Sequence, residues 1–338
     1  MSKLTLFIPG LLGLVHELAP EDLPEVPSIK YFFSRGSYQQ RPATNFTDTL
    51  CLLFNLQPSG KRDAPIAAIS QLVDDKQPAQ EIWMRADPVH LAADREGVVL
   101  MDETSFTLNQ HDALVLAGDI KDILADSGLM LEVPTTNRWY VKLSEQPEIK
   151  TTPIHEVVGR DIHQFMPAGN NNQHWARLLN EVQMALHASK LNDDRQQRGE
   201  LPVNSVWFWG AGELPGKTPH NWTRVFTDDV NAHGFAVHTD TRCDVLPDHA
   251  NQLIEQLSDN DRALVVMSFG LRHAQYHDIE GWIDFINYLD EFWFTDLLKY
   301  IKSGELEELN IISKKRLIKF DKNSFYKFWK RSKSLSNF

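Results

Sequence analysis

The chain has 338 residues, 42% hydrophobic and 24% charged, an ordinary globular composition with enough apolar residues for a sizeable core in one large domain or two smaller ones. Its formal net charge of -12 excludes a generic attraction of the body to DNA or anionic membrane. Cys51 and Cys243 are the only cysteines, which excludes a disulfide-built secreted scaffold and predicts a reducing cytoplasm.

Leu4 to Ile8 is a continuous apolar run, the pattern of a strand buried on both faces of a parallel sheet, and Pro9-Gly10 ends it. Pro9, Gly10 and Gly13 interrupt the stretch to Val15 and no small-x-small cleavage site follows, so it reads as a first strand and turn rather than a signal peptide. No other apolar run is long enough to span a bilayer. With a cytoplasmic location, the sequons at Asn45 and Asn221 are chance matches. Pro24 to Gly36 predicts a helix that starts at Pro27-Ser28, turns Ile29, Phe32 and Phe33 to one face and stops at Gly36. Thr47 to Leu56 is apolar at helical spacing, with Thr47 or Asp48 as its cap, and 65–72 is a further short helix.

Strands are expected over Ile82–Leu91 and Gly97–Leu100, then an amphipathic helix over Asn109–Ser127, then strands over Leu129–Val133 and Arg138–Leu143, together a compact α+β unit. Trp175, Leu178, Leu179, Val182 and Leu186 mark a helix over Gln173–Ser189. A polar loop, Asn192 to Asn204, leads into Ser205-Val206-Trp207-Phe208-Trp209, a short buried strand that runs into Gly210-Ala211-Gly212 and is closed by Pro215. A strand entering a Gly-x-Gly turn is where an α/β sheet often presents a ligand. Val225–Thr227, Phe235–Val237 and Ala263–Ser268 are three more expected strands, with a helix over Ala250–Leu257 and a long aromatic-rich helix over Ile279–Lys302. This alternation predicts a parallel α/β sheet.

Asn192, Arg195, Gly199 and Asn204, followed by Trp207-Phe208-Trp209-Gly210-Ala211-Gly212, resemble the bacterial RpfE-type regulatory proteins. That family is in turn similar to the archaeal-type cofactor-independent phosphoglycerate mutases of the alkaline phosphatase superfamily. Trp83-x-Arg85-Ala86-Asp87-Pro88-Val89-His90-Leu91, Asp94-x2-Gly97, Thr152-Pro153-x-His155-Glu156-x2-Gly159 and Phe328-Trp329-Lys330-Arg331 also fit. The likeness to the regulatory proteins runs along nearly the whole chain, and that to the mutases along the first two thirds. It implies an alkaline-phosphatase-like α/β core with a mostly parallel sheet, formed by 1–79 and 151–338, and a small α+β domain inserted at 80–150.

An active mutase of this kind needs two divalent metals, such as manganese, magnesium or zinc, and a hydroxyl nucleophile. The resemblance implies a metal-binding Asp at the end of the first strand, where Ile8-Pro9-Gly10 stands, and a late Asp-x3-His, where Met267 to His273 supplies no carboxylate ahead of the His. Thr47 and Asp48 sit where relatives place the nucleophile, but capping is the reading favoured, because a hydroxyl without metals has nothing to activate it. His273-x3-His277 would share one helical face, and His233, His238 and Asp240 form another local set; among thirteen His, ordinary hydrogen-bonded roles are preferred for each and no metal site is assigned.

For ligand binding the candidates are Asn192, Arg195, Asn204, Gly210, Gly212 and His155. Arg195 either holds an anion bidentately or pairs with Asp193 or Glu200, and both readings stand. Residues 314–333 carry nine Lys or Arg against Asp321 alone, interleaved with Phe320, Phe325, Tyr326, Phe328 and Trp329. Such a tail suits single-stranded nucleic acid, anionic lipid or an acidic protein, or is a solvated basic face over aromatics packed on the core. A phosphorylated small molecule, and a protein partner through the basic tail, are the expected partners, without a strong nucleic-acid signal. The expectation is a regulatory, catalytically reduced binding protein; the alternative is an active metal-dependent phosphoglycerate mutase or phosphatase.

Overall fold

A computed structural model describes residues 1–338 apart from 42–43, 58–59, 61, 76–80, 96, 314–315, 328, 331–334 and 338, and the side chain at 337. The expected domain boundary at residue 80, and Lys314, Lys315, Phe328, Arg331 and Lys333 of the tail, lie outside the described residues. In chain order the elements are β1 (Ser2–Phe7), α1 (Pro27–Arg35), β2 (Ser37–Gln40), α2 (Phe46–Leu53), α3 (Ile66–Asp74), β3 (Ile82–Asp94), β4 (Gly97–Met101), α4 (Gln110–Asp126), β5 (Met130–Glu132), β6 (Tyr140–Leu143), β7 (Ile149–Lys150), β8 (Ala168–Gly169), α5 (Asn172–His187), α6 (Lys190–Gln197), β9 (Ser205–Gly212), β10 (Arg224–Thr227), α7 (Val230–His238), β11 (Arg242–Val245), α8 (Ala250–Gln256), β12 (Arg262–Val266), α9 (Leu271–Gln275), α10 (Ile279–Leu289), α11 (Thr295–Ser303), β13 (Leu306–Ile312) and β14 (Arg316–Asp321). They divide into two compact units, Met1–Thr49 with Pro219–Phe338, and Leu50–Thr218.

The first unit is built on a seven-stranded sheet in the order β11-β10-β12-β1-β13-β14-β2. β11, β10, β12, β1 and β13 run parallel, while β14 and β2 add an antiparallel edge. The α/β class with a largely parallel sheet is the one expected from the sequence. Leu4, Leu6, Val265, Leu309 and Ile311 are fully buried and pack with Phe32, Trp282, Phe294 and Leu297 from the helices; β12, buried from Ala263 to Val266, reads as an unbroken apolar run, whereas β13 is interrupted by Glu307, Glu308 and Asn310. The chain leaves β10 outward to β11 and leaves β12 across β1 to β13. The order therefore reverses between the carboxyl ends of β10 and β12, the switch point at which open α/β sheets form a crevice.

The long aromatic helix is interrupted by a π-helical turn, Asp290–Phe294, between α10 and α11. There the Ile29 N–H donates to Asp290 Oδ1 at 2.7 Å, so Asp290 caps α1, whose own N-terminal neighbour Val26 has no polar side chain to do so. Phe235–Val237, expected as a strand, lies in α7: Asp229 accepts from the Ala232 N–H at 2.8 Å and starts a helix that three apolar residues alone could not exclude.

The second unit holds a five-stranded sheet in which β3 is central. β3 pairs antiparallel with β6, with β4 along its far half, and with β9. The Trp strand therefore belongs to this antiparallel sheet and not to the parallel one. Buried at every position, it has the pattern of a parallel core strand without the pairing. The sequence draws the smaller unit at 80–150, whereas the compact unit runs from Leu50 to Thr218, because α3 and β9 pack on β3. Among the described residues no helix is long and apolar enough to cross a membrane.

Candidate functional site

β3 places Trp83, Arg85 and Asp87 on one face by its two-residue period, and β9 sets Trp209 opposite Arg85. All four side chains are buried. Arg85 Nε donates to Asp87 Oδ1 at 2.7 Å, and the Trp209 indole N–H donates to Asp87 Oδ2 at 2.7 Å. The guanidinium lies 5.3 Å from the ring centres of both Tyr140 and Trp209. It also donates to Ser70 Oγ at 3.3 Å. The Tyr140 hydroxyl donates to Asp74 Oδ2 at 2.5 Å, and Arg138 grips Asp74 bidentately at 2.8 and 2.6 Å.

Burial alone would raise the Asp74 carboxyl, but the hydrogen bonds from Arg138 and Tyr140 and the charges of Arg138 and Arg85 outweigh it and hold it below its ordinary value. Burial pushes the Asp87 carboxyl up, against the pull of Arg85 and Trp209. The spacing of Arg85 and Asp87, opposite charges two apart in a strand pattern beside Trp83, was the signal from which this pair was legible; the sequence reading used those residues only as a family motif.

His155 packs edge-on to Trp209 with ring centres 5.9 Å apart, and burial pushes its imidazole down to about 3. The folded chain therefore keeps His155 neutral where the unfolded chain protonates it near the ordinary value of about 6.5. The unfolded state binds the extra proton, so stability is expected to fall as pH drops from about 6.5 towards 3. Denaturation midpoints across that range check this, and His155→Gln should flatten the dependence. A variant with an unchanged slope would assign the effect to another group.

Gly210 and Gly212 make room for the protein's own Pro65 and Ile66 at the start of α3. Gly210 has φ +71°, and a Cβ there would meet Ile66 Cβ at 3.2 Å; at Gly212 one would meet Pro65 Cβ at 2.7 Å. β9 shifts register here, and Asp63 holds the irregular end: it accepts from the Thr151 N–H at 2.9 Å, from the Thr151 hydroxyl and from the Ala211 N–H at 3.3 Å. Burial raises the Asp63 carboxyl despite these bonds. Beside it lies a recess of about 180 Å³ lined by Cys51, Gln57, Arg62, Asp63, Gln146 and Gly212.

The stretch expected as a polar loop is helical in its first part: Asn192 and Arg195 lie in α6, where their side chains bond to the chain itself and hold that turn in place. Asn192 Nδ2 donates to the Leu186 and Val203 carbonyls, both at 2.8 Å, and its Oδ1 accepts from the Val203 N–H at 3.0 Å. Arg195, 1% exposed, donates to the Leu201 and Thr107 carbonyls and pairs with Glu200 at 3.2 Å and Asp112 at 3.6 Å. Asn204 clamps the Leu91 peptide from both sides, at 2.7 and 2.9 Å. These three residues are close in sequence, yet each serves a different backbone segment, and the structure does not bring their polar groups to one point with His155.

In the first unit, Asn45 caps α2 by accepting from the Asp48 N–H at 2.7 Å, so neither Thr47 nor Asp48 is the cap; Thr47 is buried in the first turn. At the switch point Asp228 follows β10 and accepts from the Ser268 and Phe269 N–H groups, both at 2.7 Å. α9 ends before His277, so His273 and His277 do not share a helical face; His273 pairs with Asp278 and His277 with Glu17. Among the described residues no group of three or more His, Cys, Asp or Glu is disposed to hold a metal ion.

No family model matches the chain. Part of it is similar to 2,3-bisphosphoglycerate-independent phosphoglycerate mutases. It is 32% identical to that of Methanosarcina barkeri over 72 residues, 21% of this chain and 18% of the relative. It is 28% identical to that of Methanosarcina mazei over 119 residues, 32% of this chain and 30% of the relative. The chain thus spans about a fifth to a third of the length of these curated relatives. The PH0037 protein from Pyrococcus horikoshii shares the fold, with a TM-score of 0.54 at 15% identity over 94% of this chain and 87% of that one. The chain is related, at low identity, to phosphoglycerate-mutase-like proteins.

Proposed function

We propose that this chain is a phosphoglycerate-mutase-like protein of the RpfE regulatory type, which binds a phosphorylated small molecule without turning it over. The observation that carries this reading is Asp228. It is the carboxylate at the switch point of the parallel sheet, and the two backbone N–H groups of the facing loop engage its oxygens. A phosphoryl-transfer site needs carboxylates directed at metal ions there. The strand ends beside it, Ile8-Pro9-Gly10 and Ser268-Phe269, carry none.

The recess beside Asp63 is of a size for a three-carbon phosphate. The Asp63 carboxylate is turned to Thr151 and Ala211, while Arg62 and the amides of Gln57 and Gln146 line the same space. Calorimetric titration with 2- and 3-phosphoglycerate, alongside turnover assays with and without manganese, tests both halves. Binding is expected, weakened about tenfold or more by Arg62→Ala, the scale of a lost charged hydrogen bond. Turnover of roughly 1 per second or faster would overturn the non-catalytic reading. Absence of anion binding to the wild type would remove the ligand.

A further inference from the structure

We infer that the β14–β2 end of the first unit's sheet is a docking surface for single-stranded nucleic acid. The sequence shows only the basic tail; the structure adds to it a second segment from the other end of the chain. β2 is the outermost strand of the described sheet, exposed along its whole length, and pairs with β14 so that Tyr38 lies opposite Ile318 and Gln40 opposite Arg316. The Arg316 guanidinium carbon stands 5.8 Å from the Tyr38 ring centre, and the Tyr38 hydroxyl is fixed on the Phe33 carbonyl. Arg41 follows at the end of β2.

Beyond β14, a short turn held by Asp321 and Ser324 presents Tyr326, 69% exposed. Trp329, 68% exposed, comes next, between two lysines tied to the start of β2: Lys327 Nζ donates to Ser37 Oγ at 2.8 Å and Lys330 Nζ to the Gly36 carbonyl at 3.1 Å. Three exposed aromatic rings, Tyr38, Tyr326 and Trp329, thus lie at or just beyond this sheet edge together with Arg316, Lys327 and Lys330, in a chain whose net charge is -12. The cations at this edge complement a polyanion that the net charge of the chain would otherwise repel.

Rings interleaved with Arg and Lys suit unpaired bases, which stack on the rings while the cations follow the phosphates. Insertion into a bilayer is favoured by aliphatic bulk as well, and among the described residues of 35–41 and 316–330 the exposed large hydrophobic ones are Tyr38, Tyr326 and Trp329. Nothing here depends on the ligand proposed for the second unit.

The test is fluorescence anisotropy of labelled oligo-dT and oligo-U of about 15 nucleotides with the full chain. Saturable binding is expected, falling steeply as salt rises from about 50 to 200 mM, and the ratio of the two affinities separates DNA from RNA. Trp329→Ala and Tyr326→Ala should each weaken it about fivefold or more, with unchanged thermal melts, because both rings are exposed. No saturable binding at about 50 mM salt would overturn the proposal. So would undiminished binding by the doubly substituted protein, or tighter association with vesicles of phosphatidylcholine and phosphatidylserine in equal parts than with either oligonucleotide.

Discussion

Asp87→Ala should lower unfolding stability by about 3–5 kcal/mol, the cost of removing one partner from a buried ion pair. The remaining Arg85 guanidinium would stay enclosed between Tyr140 and Trp209, with Ser70 as its neutral partner, and the Trp209 indole N–H would lose its acceptor. Denaturant titration measures the loss. The double replacement Arg85→Met with Asp87→Leu distinguishes a pair that stabilises from one that merely must not be broken. Recovery of most of the stability in the double variant would show that the charge left behind, rather than the lost attraction, causes the effect. A loss below about 1 kcal/mol in Asp87→Ala would mean that water reaches Arg85.

Arg195→Ala should have a comparable effect, about 3–5 kcal/mol, although its polar sequence neighbourhood in α6 suggests a mild surface substitution. Its guanidinium joins Leu201 and Thr107, which are far apart in sequence, and balances Asp112 and Glu200. Truncation strands two carbonyls and leaves Asp112, 11% exposed, without its cation. Arg195→Lys should recover only part, because a single ammonium cannot reproduce the planar fork. If Arg195→Ala left the denaturation midpoint in place and weakened phosphoglycerate binding instead, the loop would be a ligand site.

Much of the fold was legible because burial leaves a linear trace. β12 shows it as the unbroken apolar run Ala263–Val266, β1 as Leu4, Leu6 and Phe7 around Thr5, and α5 as Trp175, Leu178, Leu179, Val182 and Leu186 at helical spacing. What β9 pairs with was not legible. A strand buried on both faces has no alternation to tell a parallel neighbour from an antiparallel one, and Trp209 meets Arg85 from 124 positions further along the chain. The candidate site was legible only as residue types. Asn192, Arg195 and Asn204 are polar and Gly210 and Gly212 open, but whether such groups face a ligand or the chain depends on remote partners such as Thr107, Leu91 and Pro65. Equally, nothing in the sequence around Asp228 tells that the amides of Ser268 and Phe269 will claim its carboxylate.

The order of strands in the larger sheet has a consequence for synthesis. β1 leaves the ribosome well before its two neighbours: Lys3 pairs with Arg262, and Leu4 with Leu309. At ordinary translation rates the nascent Leu4–Phe7 waits about 13–50 s for its first partner strand. Leu50–Thr218, continuous in sequence, has no such delay. The vulnerable species is therefore the incomplete chain with an emerged apolar strand and no sheet to receive it, a natural client for a holding chaperone and the form most prone to aggregate when translation stalls before β12.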